Sequence, residues 1–215
     1  MNTAGSALRR CDWGESTPDY VTYHDEEWGV ELRGDRPLFE RLTLEAFQSG
    51  LSWLTILRKR ENFRAAFAGF DIAVVAKFAE PDRHRLLNDA GIVRNRAKID
   101  ATINNARAIM DNFGSADGDG GPGDGFSDLL WSFAPAAHRR PKTLGEVASS
   151  SNESKALAKE LKRRGFVFIG PTTAYALMQA TGIVDDHVAY CWRAKPSSAR
   201  PTTVRPTTVR KTTVR

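Results

Sequence analysis

Cysteine is nearly absent from this chain, with two in 215 residues, at positions 11 and 191. A multi-disulfide scaffold is excluded, and at most one bridge could form. No apolar run approaches the ~20 residues a membrane-spanning helix needs, so no membrane partner is expected. An apolar secretory leader is also missing, which points to a reducing cytoplasm where structural disulfides are rare. Period-two alternation is missing too, so nothing reads convincingly as a strand. The expectation is a nearly all-α protein with one substantial core.

One stretch lacks acids altogether. Residues 193–215 carry seven Lys or Arg and no Asp or Glu. The whole chain has 31 Lys and Arg against 26 Asp and Glu, for a net charge of +5. Without that stretch, 24 basic residues face 26 acids, and the body is at −2. A nucleic-acid surface on the body must therefore be a local patch. The tail PTTVRPTTVRKTTVR is a near-repeat with no core-forming residues, expected to be disordered; it would either add non-specific phosphate affinity or be a frameshifted or artificial end. Residues 1–10 read as a disordered leader. The Gly- and Asp-rich 114–125 reads as a flexible surface insertion within a single domain, 11–192.

Helical periodicity fills the rest. Leu38, Phe39, Leu42, Phe47, Leu51, Leu54 and Leu57 recur at helical spacing, with a break at Gly50. A further helix is expected to begin at 62–67. Asp71 caps the next, with Val74, Val75 and Phe78 on its apolar side. Pro81 opens a short helix ending near Gly91. Ile99, Ile103, Ala106 and Met110 form one stripe over 94–110. Helices are also expected over 126–133, over 151–164 with Gly165 as its C-cap, and over 172–181.

Cys11, His24, His187 and Cys191 are of the ligand types that a tetrahedral zinc prefers. His187 and Cys191 stand four apart, so on a helix they would share a face, whereas Cys11 and His24 would come from an irregular N-terminal segment. A metal held by the four would staple the chain's beginning to its end. A Cys11–Cys191 disulfide or two ordinary buried thiols remain open, because this spacing is not a stock zinc-finger pattern.

The segment 161–182, LKRRGFVFIGPTTAYALMQATG, reads as a basic helix end, a short apolar turn and a new helix started by Gly170 and Pro171. Free amides at such a helix start can hold a phosphate. This resembles a helix-hairpin-helix, which grips a DNA strand by its backbone. A plain packing corner remains the alternative. The usual Gly-hydrophobic-Gly turn is altered, with Phe168 in place of its first glycine.

CDW at 11–13, YHDEEWG at 23–29, LFERLTLEAFQSGLSWLTILRKRENFRAAFAGFD at 38–71, DAGIVRNRAKIDATINNAR at 89–107 and RGFVFIGPTTAYALMQATGIVDDHV at 164–188 together resemble the 3-methyladenine DNA glycosylase I family. The resemblance spans 11–192. It implies an all-α helix-hairpin-helix DNA glycosylase that acts in base-excision repair on alkylated double-stranded DNA. It further implies a structural zinc on Cys11, His24, His187 and Cys191, joining the N- and C-terminal segments.

Glu45 matches the family's base-recognising glutamate, Trp53 its stacking tryptophan, and Tyr20 and Tyr23 its pocket aromatics. Trp13 and Trp28 are expected as pocket walls or packing beside the zinc. Gly165, Gly170, Thr172 and Thr173 would meet the DNA backbone. N3-methylation puts a positive charge on adenine and weakens its bond to the sugar. The enzyme then needs selective capture of a cationic purine outside the stack. Electron-rich rings and a buried carboxylate suit that task, a desolvated cation over Trp or Tyr gaining about 2 kcal/mol.

Asp185 occupies the Val-Asp-x-His position where many such glycosylases keep a catalytic aspartate and this family commonly has asparagine. It could stabilise an oxocarbenium-like sugar or cap a helix carrying His187. The hairpin context holds no lysine for a Schiff base, so a monofunctional enzyme without lyase activity is expected, acting as a monomer and associated with the bacterial nucleoid when bound to DNA. The competing expectation is a non-catalytic, zinc-stapled DNA-binding module.

Overall fold

The computed structural model describes residues 8–114 and 125–194. Among them are nine α-helices, three short 3-10 turns and no strand. The helices are α1 (Pro18–Glu26), α2 (Asp35–Gln48), α3 (Trp53–Ala66), α4 (Ile72–Ala76), α5 (Glu80–Asn88), α6 (Arg96–Phe113), α7 (Gly125–Ser132), α8 (Asn152–Arg163) and α9 (Pro171–Ala180). No helix among the described residues is long and apolar enough to cross a membrane.

Local chemistry starts most of these helices. Thr17, Ser52, Asp71 and Asn95 each accept a backbone N–H three residues on, at the N-termini of α1, α3, α4 and α6. Ser151 and Ser154 form a reciprocal capping box before α8. Each such cap satisfies an orphan amide and contributes about 1 kcal/mol. The start of α7 is held differently. Its first amides are bound by the buried Asp35 carboxylate, with Ser127 N at 2.7 Å, which joins α7 to the start of α2.

α2 is the central helix, with Leu38, Phe39, Leu42, Leu44 and Phe47 all fully buried. It packs against α3, α6, α7 and α9. Beside it runs a phenylalanine ladder: Phe47 meets Phe63 at 4.7 Å, Phe67 meets Phe70 at 5.7 Å, and Phe70 meets Phe39 at 6.0 Å. Such ring pairs add about 1 kcal/mol each beyond the area they bury.

The two ends of the domain meet directly. Trp192 N donates to Arg9 O at 2.8 Å, Tyr190 Oη donates to Asp12 Oδ1 at 2.7 Å, and Arg9 lies over the Tyr190 ring. Leu8, Arg9 and Arg10, at the end of the expected leader, are thus among the described residues. Residues 1–7, 115–124 and 195–215, with the expectations placed on them, lie outside.

The structure corrects the sequence reading at four places. Residues 62–67 do not begin a helix; they continue α3, because nothing between Ser52 and Phe67 interrupts the ladder. Val74 is exposed, while Ile72 and Val75 form the buried side of α4. The segment before His24 is not irregular: a 3-10 turn over Asp12–Glu15 precedes α1, and His24 lies on α1 itself. His187 and Cys191 do not share a helix, since α9 ends at Ala180 and 185–188 has no regular secondary structure before the turns and bend at 189–193.

Candidate active site and metal centre

A cavity of about 330 Å³ opens where α1, α2, α3 and α9 converge with the segment after α9. α2 contributes Glu45 and, one turn on, Gln48; α1 contributes Tyr20 and Tyr23; α3 contributes its first residue, Trp53. Trp13 and Trp28 complete the aromatic wall. Glu45, Tyr20, Tyr23 and Trp53 are thus brought together across more than thirty residues of sequence.

The aromatic rings hold one another in place. Tyr23 and Trp53 stand 5.3 Å apart, Trp13 and Trp28 5.1 Å, and Trp13 and Tyr20 5.6 Å, the last two edge-on. The Tyr20 hydroxyl accepts Leu54 N at 3.0 Å, tying α1 to the first turn of α3. The Tyr23 hydroxyl accepts from Arg41 Nη1 at 2.8 Å, while Arg41 Nη2 reaches Glu27 at 3.3 Å. Glu27 in turn is bound by Arg60, whose Nη2 stands 2.9 Å from Oε1. Buried Arg41 was not singled out in the sequence, because an arginine inside a helix is ordinarily a solvated one.

Glu45 is only 5% exposed, and its carboxyl has no hydrogen-bond partner among the described residues. Burial raises its pKa to about 7, against the counteracting charge of Arg41. A neutral acid in an aromatic cavity becomes a carboxylate readily once a cation arrives. Trp53 Nε1 is likewise buried without a partner among the described residues.

Behind the aromatic wall, the ligand atoms of Cys11, His24 and Cys191 all lie within 4.8 Å of one another. Cys191 Sγ stands 3.3 Å from His24 Nε2. His187 lies just outside this trio, its ring centroid 5.1 Å from that of His24 and its Nε2 buried with no partner among the described residues. Both cysteines are free thiols.

Each imidazole is held from behind. His24 Nδ1 meets Asp25 Oδ1, and His187 Nδ1 meets Asp185 Oδ1, both at 2.8 Å. Both contacted oxygens belong to carboxylates, so each Nδ1 carries the proton and each Nε2 offers a lone pair. Burial lowers the His24 pKa, favouring that neutral ligand form. Burial also pushes the Cys11 thiol up to about 12, with Cys191 adding to it, so a bound cation would be needed to hold it as thiolate. Glycine makes room for both rings: a Cβ on Gly14 would come within 2.8 Å of the His24 ring, and one on Gly29, whose φ is +74°, within 2.7 Å of His187 Cε1. The donor set, the paired carboxylates and the orphaned Nε2 of His187 fit a four-coordinate zinc.

Asp185 caps no helix. Besides His187, its Oδ2 accepts from Arg140 Nη2 at 2.7 Å. Burial would raise its pKa, but these hydrogen bonds hold it well below the usual carboxylate range. It does not line the cavity; its neighbour Asp186 does. Gln48, Gln179, Leu144 and Val147 also line the cavity and were not anticipated, since no local pattern marks them.

The 161–182 turn lies at the other end of α9. Gly165 and Gly170 are exposed, Gly165 at φ +89°, and Thr172 and Thr173 occupy the first turn of α9. Phe168, in place of a glycine, takes φ +66° and is exposed, with Lys98 Nζ 5.9 Å from its ring. The turn therefore keeps a left-handed residue at the altered position. Three asparagines of α6 brace it: Asn104 donates to Gly165 O, Asn105 exchanges two bonds with Val167, and Asn112 donates to Arg164 O.

A family model described as methyladenine glycosylase matches residues 13–194. The chain is 46% identical over 189 residues to DNA-3-methyladenine glycosylase 1 of Escherichia coli strain K12, an alignment covering 86% of this chain and 96% of that protein. A crystal structure of 3-methyladenine DNA glycosylase I superposes with a TM-score of 0.78 at 44% identity, over 87% of this chain and 100% of that one. A structure of the Staphylococcus aureus 3-methyladenine DNA glycosylase I, described as the basis of its 3-methyladenine recognition, superposes at 0.76 with 33% identity, over 86% and 96%.

Proposed function

The chain belongs to the methyladenine glycosylase family, and on that premise we propose how its residues carry out the reaction. It is a DNA-3-methyladenine glycosylase, which removes the alkylated base from DNA by hydrolysis of the N-glycosidic bond, in base-excision repair.

The observation that carries the mechanism is the buried, unpartnered Glu45 within a cavity of aromatic rings. An extrahelical base enters that cavity. Its positive charge is stabilised by the faces of Trp53, Tyr20 and Tyr23 and by the Glu45 carboxylate. Binding strengthens Glu45 as an anion, because the incoming cation offsets the desolvation that keeps it protonated. The base departs as a neutral purine, so no strong acid is required to protonate it. Among the described residues the cavity lining contains no lysine, in keeping with the proposal of a monofunctional glycosylase without lyase activity. A non-catalytic DNA-binding module has no need of a cation-sized aromatic cavity.

Zinc on Cys11, His24, His187 and Cys191 is proposed as structural. With four protein ligands it would be closed to water, and would supply only a clamp between α1 and the segment after α9. α8, the left-handed turn and α9 are proposed as a helix-hairpin-helix, with exposed Gly165, Gly170 and Thr172 and half-buried Thr173 towards the DNA backbone. Action as a cytoplasmic monomer completes the proposal.

Incubation with methylated duplex DNA, followed by chromatography of the released bases, tests the reading. Free 3-methyladenine is expected from the wild type and is expected to be lost with Glu45→Ala; absence of release from folded, zinc-loaded wild type would overturn it.

A further inference from the structure

The aromatic cavity has a polar corner that the mechanism above leaves unused. On α9, Ala176 and Gln179 stand one turn apart and both line the cavity, together with Asp186 from the segment that follows. Asp186 is 3% exposed, yet both of its oxygens are engaged. Oδ1 accepts from His138 Nε2 at 2.7 Å, while Oδ2 accepts from Tyr175 Oη at 2.8 Å and from Gln179 Nε2 at 2.7 Å. Three donors converge on one carboxylate, each bond stronger for the charge it meets.

This arrangement decides which way the Gln179 amide points. Asp186 is an acceptor only, so the Gln179 atom facing it must be the amide nitrogen. Turning the amide over would set two lone-pair-bearing oxygens against each other and break a charge-assisted bond. Oε1 is therefore directed away from Asp186, and no described residue donates to it. Gln179, one of the residues lining the cavity, thus has an oriented carbonyl oxygen with spare acceptor capacity, on a different helix from Glu45. Such an acceptor favours an N–H donor on an electron-poor base and disfavours a lone pair in the same place.

We propose that Gln179 is a specificity-determining contact for the excised base, presenting its amide oxygen to an N–H of that base, and that Asp186 is the positioning residue that orients it. The inference rests on the glycosylase reading and names a second polar contact within the same cavity. His138, which meets Asp186 from the 138–140 segment, supports the anchor rather than the base.

The test uses the full-length, zinc-loaded chain and single-turnover release of 3-methyladenine from methylated duplex DNA. Gln179→Met keeps the length of the side chain and removes its acceptor; about a 10-fold slower release is expected, as for the loss of one hydrogen bond to a charged partner. Asp186→Asn offers an N–H to Gln179 Oε1, lets the amide turn over, and should cost a similar factor. If Asp186 acts through Gln179, the double variant loses no more than either single variant. Losses that multiply instead would overturn the positioning role, and release from Gln179→Met at the wild-type rate would overturn the contact. Zinc content measured on each variant separates these effects from damage at the neighbouring Cys/His cluster. A readout that needs no folded variant is the Gln179 side-chain amide resonance of the wild type, which should move when 3-methyladenine is added; an unmoved resonance overturns the proposal. Failure of the wild type to release 3-methyladenine would overturn the functional reading itself, a distinct result.

Discussion

Arg41 and Glu45 stand one turn apart on α2, both buried, and among the described residues Arg41 is the charge that counters burial at the Glu45 carboxyl. A guanidinium beside a cavity for cations opposes their entry, yet it also keeps the recognising acid within reach of ionisation. Glu27, shared between Arg41 and Arg60, balances part of that positive charge.

A pH dependence follows from this pair. With the Glu45 pKa at about 7, kcat/KM for 3-methyladenine release should climb between pH 6 and pH 8 as the free enzyme gains its carboxylate. Arg41→Met removes the stabilising charge and should move that rise to higher pH. Rate profiles that coincide for the two proteins would show that Arg41 does not act on Glu45.

Stability should run the other way. The folded pKa of Glu45 lies above its ordinary 4.5, so the group's favourable contribution is complete below pH 4.5 and lost as pH rises through about 7. The full span corresponds to about 3 kcal/mol. Glu45→Gln, neutral at every pH, should therefore melt several degrees above the wild type at pH 8 and close to it at pH 4, while excision is lost. Melting curves at the two pH values give the answer directly.

The Cys/His cluster should be a matter of stability. Cys191→Ser, or removal of metal with a chelator, is expected to cost on the order of 4 kcal/mol. That corresponds to a fall in Tm of about 10 °C for a domain of this size. Release of 3-methyladenine at a temperature where the variant stays folded should change little. Calorimetry with metal analysis decides: a variant that melts with the wild type would leave no role for a metal.

Asp185 should matter through His187. Asp185→Asn deprives the His187 Nδ1–H of its carboxylate, and losing the group that orients a metal-binding imidazole lowers metal affinity about 10- to 100-fold. With zinc saturating, the excision rate should stay within a few-fold of wild type. A collapse of single-turnover rate in zinc-loaded Asp185→Asn would restore the catalytic role that the sequence left open.

Phe168 carries strain that glycine would relieve. A non-glycine residue at φ +66° costs roughly 1–2 kcal/mol, and Phe168 is exposed, so it gains little from burial. Phe168→Gly should raise Tm by a few degrees with DNA affinity retained, as judged by melting and by titration with duplex DNA.

Much of the architecture was legible because its causes are local. Asp71, expected as a cap, reaches Val74 three residues on; the caps at Thr17, Ser52 and Asn95 are equally local but were not singled out. The apolar stripes of α2 and α6 repeat within a turn. Glu45, Trp53, Tyr20 and Tyr23 were picked out by resemblance and not by periodicity, since an acid inside a helix ordinarily faces water.

By itself, then, the sequence determined the helical class, some of the caps, and the residue types available for a cation-binding cavity and a metal. Tertiary structure alone decided which of two adjacent aspartates faces the cavity, that Gln179 is locked in one orientation, and that Arg41 lies buried behind Tyr23. The physical reason is range: caps and stripes act over three or four residues, whereas Arg41 and Tyr23, Glu45 and Gln179, or Cys11 and Cys191 are joined only by the folding of distant segments. Burial, which raises the pKa of Glu45, belongs to that packing and to no residue alone.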